Sequence, residues 1–111
     1  MYEEKTFEVR YPTGQITINV GTFFSTAKKS QIAKLLRLAK RYCTEEQRKK
    51  LIEHLRFERN YRMDLLHALH RASLWDTEDE KALRKQIEKL RDAIEIVKEA
   101  KWDGYDSPPV D

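Results

Sequence analysis

The chain has 111 residues, enough for one hydrophobic core and too few for a second. Apolar residues make up 40% of it and charged residues 37%, a balance that long helices with solvated faces produce. No basic, apolar leader is seen and no run of about 18 apolar residues occurs, so neither a secretion signal nor a membrane span is expected, and a soluble cytoplasmic protein is.

Residues 5 to 20 alternate apolar and polar on both sides of Pro-Thr-Gly, which predicts a β-hairpin. Phe7, Val9 and Tyr11 share one face and Ile16, Ile18 and Val20 the matching one. Pro12 presets the turn, and Gly14 is the residue there that tolerates a positive φ. An isolated hairpin is marginal in water, so it must lie on the helices that follow. Residues 21 to 24 read as a link, with Phe23 and Phe24 plugging the junction.

A first helix is predicted over about residues 27 to 42, with Ser25 or Thr26 as N-cap and Ile32, Leu35, Leu36, Ala39 and Tyr42 turned inward. Cys43 at its end has no partner for an internal disulfide and reads as an inert, partly buried thiol. Thr44 with Gln47 then forms a capping box, and a second helix runs over about residues 45 to 73 on Leu51, Ile52, Leu55, Leu65, Leu66, Leu69 and Ala72. A third helix, over about residues 78 to 101, opens on a capping box of Thr77 and Glu80. Its Leu83, Ile87, Leu90, Ile94 and Val97 form a narrow seam that must be covered, either by the second helix in a helical hairpin or by a second copy in a homodimer. The fold class is therefore α+β: one domain over residues 1–101, a β-hairpin packed on three α-helices, the last two forming a long helical hairpin. Residues 102–111, with Gly104, Pro108, Pro109 and three aspartates, read as an acidic flexible tail.

The net charge of +3 hides a segregation of charge along the chain. Residues 25–75 hold thirteen basic and five acidic groups, whereas residues 76–111 hold seven and eleven. Lys28, Lys29, Lys34, Arg37, Lys40 and Arg41 stand in or beside the first helix without one acid among them. Arg48, Lys49 and Lys50 continue the run, and Arg56, Arg59, Arg62 and Arg71 carry it along the second helix. Such a surface suits phosphates or an acidic protein face, and arginine grips either through its planar fork. A solvated helix face balanced by the acidic third helix accounts for the same pattern without a ligand. Tyr42, Phe57 and Tyr61 stand among these bases as stacking platforms or as core. The short bend between the first two helices suggests a helix-turn-helix, but both helices are long and the second shows no compact reading face.

Catalytic signals are sparse. Asp64, His67 and His70 lie a turn apart, yet one helix bearing two imidazoles and a carboxylate lacks the further ligands of a closed metal site. A metal-dependent nuclease built on them is the least remote enzymatic alternative, and no cofactor is expected. No glycine-rich phosphate loop, nucleophile elbow or paired-cysteine motif occurs.

The whole plan, a hairpin over residues 5–20 followed by three capped, lysine-rich helices and an acidic tail, resembles small accessory proteins of phages and mobile elements, above all the anti-CRISPR inhibitors. The resemblance is one of architecture, without a motif shared residue by residue. It implies a non-enzymatic protein that blocks a defence nuclease by occupying a surface that handles guide RNA or DNA. The basic helical body departs from the acidic members that imitate DNA, so grip on a nucleoprotein or an acidic protein surface fits better than mimicry. A small RNA- or DNA-binding module and a dimeric regulatory protein are the alternatives.

Overall fold

A computed structural model of the chain describes residues 2–100 and 102. The alternating segments form strands β1 (Thr6–Tyr11) and β2 (Gly14–Asn19), paired antiparallel with Phe7 opposite Ile18, Val9 opposite Ile16 and Tyr11 opposite Gly14. That register sends Phe7 and Val9 into the core and leaves Ile16 and Ile18 half-buried against it. Gly14 does not use a positive φ, contrary to expectation. The Tyr11 ring lies over it instead, with the hydroxyl 3.4 Å from where a Cβ would stand.

Four helices follow, where the sequence predicts three: α1 (Val20–Thr26), α2 (Lys29–Tyr42), α3 (Glu45–Arg71) and α4 (Glu78–Glu99). The unexpected α1 has glycine and three hydroxyl residues in seven positions and is held by its surroundings rather than by propensity. Val20 and Phe24 are fully buried, and the helix packs against both α3 and α4. Ser25 and Thr26 do not cap the next helix. Their hydroxyls bond back to the carbonyls of Gly21 and Thr22 within α1, each at 2.6 Å. Helix α2 starts instead after Lys28, whose N–H donates to the Gln31 side chain at 2.8 Å.

The Thr44–Gln47 capping box of α3 forms in both directions, at 3.1 and 2.7 Å. That of α4 forms in one only. The Glu80 N–H donates to Thr77 Oγ1 at 3.2 Å, while the Glu80 carboxylate turns away to other partners. Helices α3 and α4 pack as a helical hairpin. Ile87, Leu90, Ile94 and Val97 are buried within the chain, while Leu83, the first residue of the predicted seam, is half-buried.

The molecule measures 56 × 26 × 24 Å, with the core at one end. Leu51, Leu55, Leu90 and Val97 are fully buried there, but the far half of α3 projects beyond it. Leu65 is 40% exposed and Leu66 and Leu69 are half-buried, where an inward stripe is expected from the spacing. Trp102, assigned by composition to the tail, is buried 6.0 Å from Phe7. The rest of the expected tail, residues 103–111, lies outside the described residues. No helix among the described residues is long and apolar enough to cross a membrane.

Candidate binding surface

Helix α2 turns Leu35 and Ala39 into the core and packs mainly on β1. At 100° per residue, Lys34, Arg37 and Arg41 then fall on the opposite side, three and four positions apart in one row. All six cations of this segment, Lys28, Lys29, Lys34, Arg37, Lys40 and Arg41, are exposed. None of them enters an ion pair among the described residues. Arg41 leans over the Tyr42 ring at 5.4 Å.

Lys40 and Arg41, in the last turn, suit the helix dipole, but the rest of the arrangement acts against the helix that carries it. Like charges three and four apart cost about 0.2–0.5 kcal/mol per pair. Lysines at 28 and 29 oppose the positive end of the helix dipole, and no acid stands in the first turn.

The basic residues of α3 meet a different fate. The Arg48 side chain is only 15% exposed and pairs with Glu45. Its Nη1 also donates to the carbonyls of Val97 at 2.9 Å and Lys98 at 3.2 Å, closing the C-terminal end of α4. Arg62, 12% exposed, pairs with the fully buried Glu58 at 2.8 Å and donates to Gln86 at 2.9 Å. Arg48 and Arg62 are thus engaged within the fold, whereas the sequence reading places both on the basic surface. Arg59 is half-buried against Asn60, whereas Lys49 and Arg56 are exposed and line a shallow cleft of about 380 Å³ with Lys98 and Glu53. Lys50 pairs with Glu53 at 3.8 Å.

The aromatic residues offer little open area. Tyr42 packs on Tyr11, Tyr61 stacks on Tyr2 at 4.1 Å, and Phe57, 38% exposed, carries the Lys5 ammonium 4.7 Å above its ring. The metal-like triad also disperses. Asp64 and His67 face solvent, while His70 turns to Glu80 at 2.8 Å and stacks on Trp75.

Two buried carboxylates organise the interior: Glu58, which the sequence reading did not single out, and Glu80, expected there only as a capping residue. Glu58 accepts from the Tyr2 hydroxyl at 2.7 Å and from Arg62, and its carboxylate fills the space beside Gly21. Burial, reinforced by that carboxylate, pushes the Tyr2 phenol up to about 12. Each glutamate occupies the next place of an apolar stripe, Glu58 after Leu51 and Leu55, Glu80 before Leu83 and Ile87. That spacing is the signal available in the sequence. In comparison with known proteins the chain matches no family model, no curated protein and no solved structure.

Proposed function

We propose that the chain is a non-enzymatic binding protein that modulates a nucleic-acid-handling partner, of the kind exemplified by CRISPR nucleases, through the cationic side of α2. The observation that carries this reading is the set of six exposed cations with no acid on their helix and no ion pair among the described residues. A balanced solvated face would pair at least some of them with nearby carboxylates, as happens to Arg48 and Arg62. The row of Lys34, Arg37 and Arg41 matches a phosphate backbone or a carboxylate-rich surface and steers the encounter at long range.

The test is binding of the full chain to RNA and to duplex DNA at several salt concentrations, beside a nuclease inhibition assay. Affinity is expected to fall steeply with salt, each phosphate contact adding about 0.9 to the logarithmic slope on duplex DNA. Inhibition is expected to be stoichiometric and not to increase with time. Salt-independent binding, or none to nucleic acid or nucleoprotein, would sink the reading.

A further inference from the structure

The inner edge of α2 faces α4 across an open groove of about 450 Å³. Ile32, Leu36 and Ile96 give it an apolar lining over the fully buried Phe24, and Ile96 is 50% exposed. Three lysines, Lys28, Lys29 and Lys89, stand around it against one acid, Asp92.

We propose that this groove receives an amphipathic helix of a protein partner, apolar along one stripe and carrying glutamate or aspartate beside it. The proposal rests on the binding function above and deepens it by naming the chemistry of the partner. Its α2 wall advances from Lys28 through Ile32 to Leu36, and its α4 wall from Lys89 through Ala93 to Ile96. Each wall thus follows one helix for about two turns, roughly 11 Å, so the groove runs lengthwise between two helices. A third helix fills such a space by setting residues at i, i+3 or i+4, and i+7 into it. The three lysines select carboxylates on the flanks of that helix and disfavour a basic one. A nucleic-acid backbone suits the outer row of α2 but has nothing to set against the isoleucines and leucine. Lys28 and Lys29 belong to both surfaces, so a protein held in the groove extends naturally from a polyanion held on the row.

The test uses the full chain and a fluorescent synthetic helix with leucines on one stripe and glutamates beside it. Two controls are the same composition with the leucines scrambled and the same stripe flanked by lysine. The acidic helix is expected to bind at least about tenfold more tightly than either control. It should shift the methyl resonances of Ile32, Leu36 and Ile96. Ile96→Glu, at a position already half-exposed, should weaken it about tenfold with the thermal midpoint retained. No binding, binding equal for all three peptides, shifts mapped elsewhere, or an unaffected Ile96→Glu variant would overturn the proposal. So would capture of a fluorescent fatty acid without any peptide binding, which would assign the groove to a small amphiphile. RNA binding measured beside peptide binding on the unaltered protein separates the two readings. Retained RNA affinity with no peptide affinity defeats the groove alone, whereas peptide affinity without any salt-dependent polyanion binding defeats the function proposed for the outer row.

Discussion

The imidazole of His70 lies flat on the indole of Trp75, ring centroids 3.6 Å apart and planes 6° from parallel, at the far end of the helical hairpin. The same ring places Nε2 2.8 Å from Glu80, whose carboxylate also receives Arg84 at 2.8 Å and the Asp76 N–H at 3.3 Å. A fully buried charge is thus satisfied on several sides, and it fixes the turn that joins α3 to α4.

The first prediction follows from that carboxylate. The bonds from Arg84 and then from His70 hold the Glu80 carboxyl down at about 2, from an ordinary 4.5. A depressed pKa stabilises the folded form fully above about 4.5, and that contribution is withdrawn as pH falls toward 2. Glu80→Gln should therefore be less stable than the parent at pH 7. The difference between the two should shrink between pH 4.5 and pH 2. Urea midpoints measured across that range check it, and a constant difference would refute it.

A second concerns the cap of α3. Leu74 N–H bonds to Leu69 O at 2.9 Å and Ser73 N–H to His70 O at 3.0 Å, the two bonds of a Schellman motif. Ser73 occupies the left-handed position at φ 59°, where a side chain costs about 1 kcal/mol or more. Ser73→Gly is expected to stabilise by about 0.5 kcal/mol, since glycine's greater freedom in the unfolded chain offsets part of the relief. Chemical denaturation reads this directly; destabilisation would mean that the serine side chain contributes something beyond the turn.

A third addresses the close approach of α1 to α3. A methyl group at Gly21 would press on the Glu58 carboxylate and stand 2.9 Å from Arg62 Nη2. Gly21→Ala should cost about 2–3 kcal/mol through overpacking at a buried ion pair. An unchanged denaturation midpoint would show that the pair relaxes freely.

These positions also mark where the sequence was informative. The hairpin register follows from the alternation around Pro12, and the burial of Ile87, Leu90, Ile94 and Val97 follows from their spacing, because both patterns are local. Helix α1 was not legible, since Gly21, Thr22 and Thr26 argue against a helix and only burial of Val20 and Phe24 enforces it. The cations divide on the same principle. The exposure of Lys34, Arg37 and Arg41 follows from periodicity within one helix. Arg48 and Arg62 each have an acid within four positions, Glu45 and Glu58, but their bonds to the Val97 carbonyl and to Gln86 reach 49 and 24 positions away and leave no mark nearby.

A fourth prediction uses that division. Charge reversal at Lys34, Arg37 and Arg41 together should abolish partner binding and leave stability within about 1 kcal/mol, because these groups are solvated. Arg62→Ala should do the opposite, costing about 3–5 kcal/mol by stranding Glu58 without its partner. Parallel denaturation and binding measurements on both proteins decide it. Equal loss of binding in the two would place the interface elsewhere.

A fifth concerns Cys43, which is buried at the end of α2 and whose thiol burial pushes up to about 11. Native protein at pH 8 should resist alkylation for as long as it stays folded, and urea should release the reaction. Mass spectrometry of iodoacetamide-treated samples measures this, and rapid modification of folded protein would contradict the buried placement.

The 56 Å length of the molecule gives it a gradient. Near α1 the two long helices are clamped by leucines with no exposure, while beyond Arg62 they lean on each other and on the polar knot around Glu80. Opening should therefore begin at the bend near Ser73 and travel inward like a zip. Amide protons of residues 66–71 would exchange with solvent well before those of residues 51–55, so the projecting arm can yield to a neighbour while the base keeps its shape.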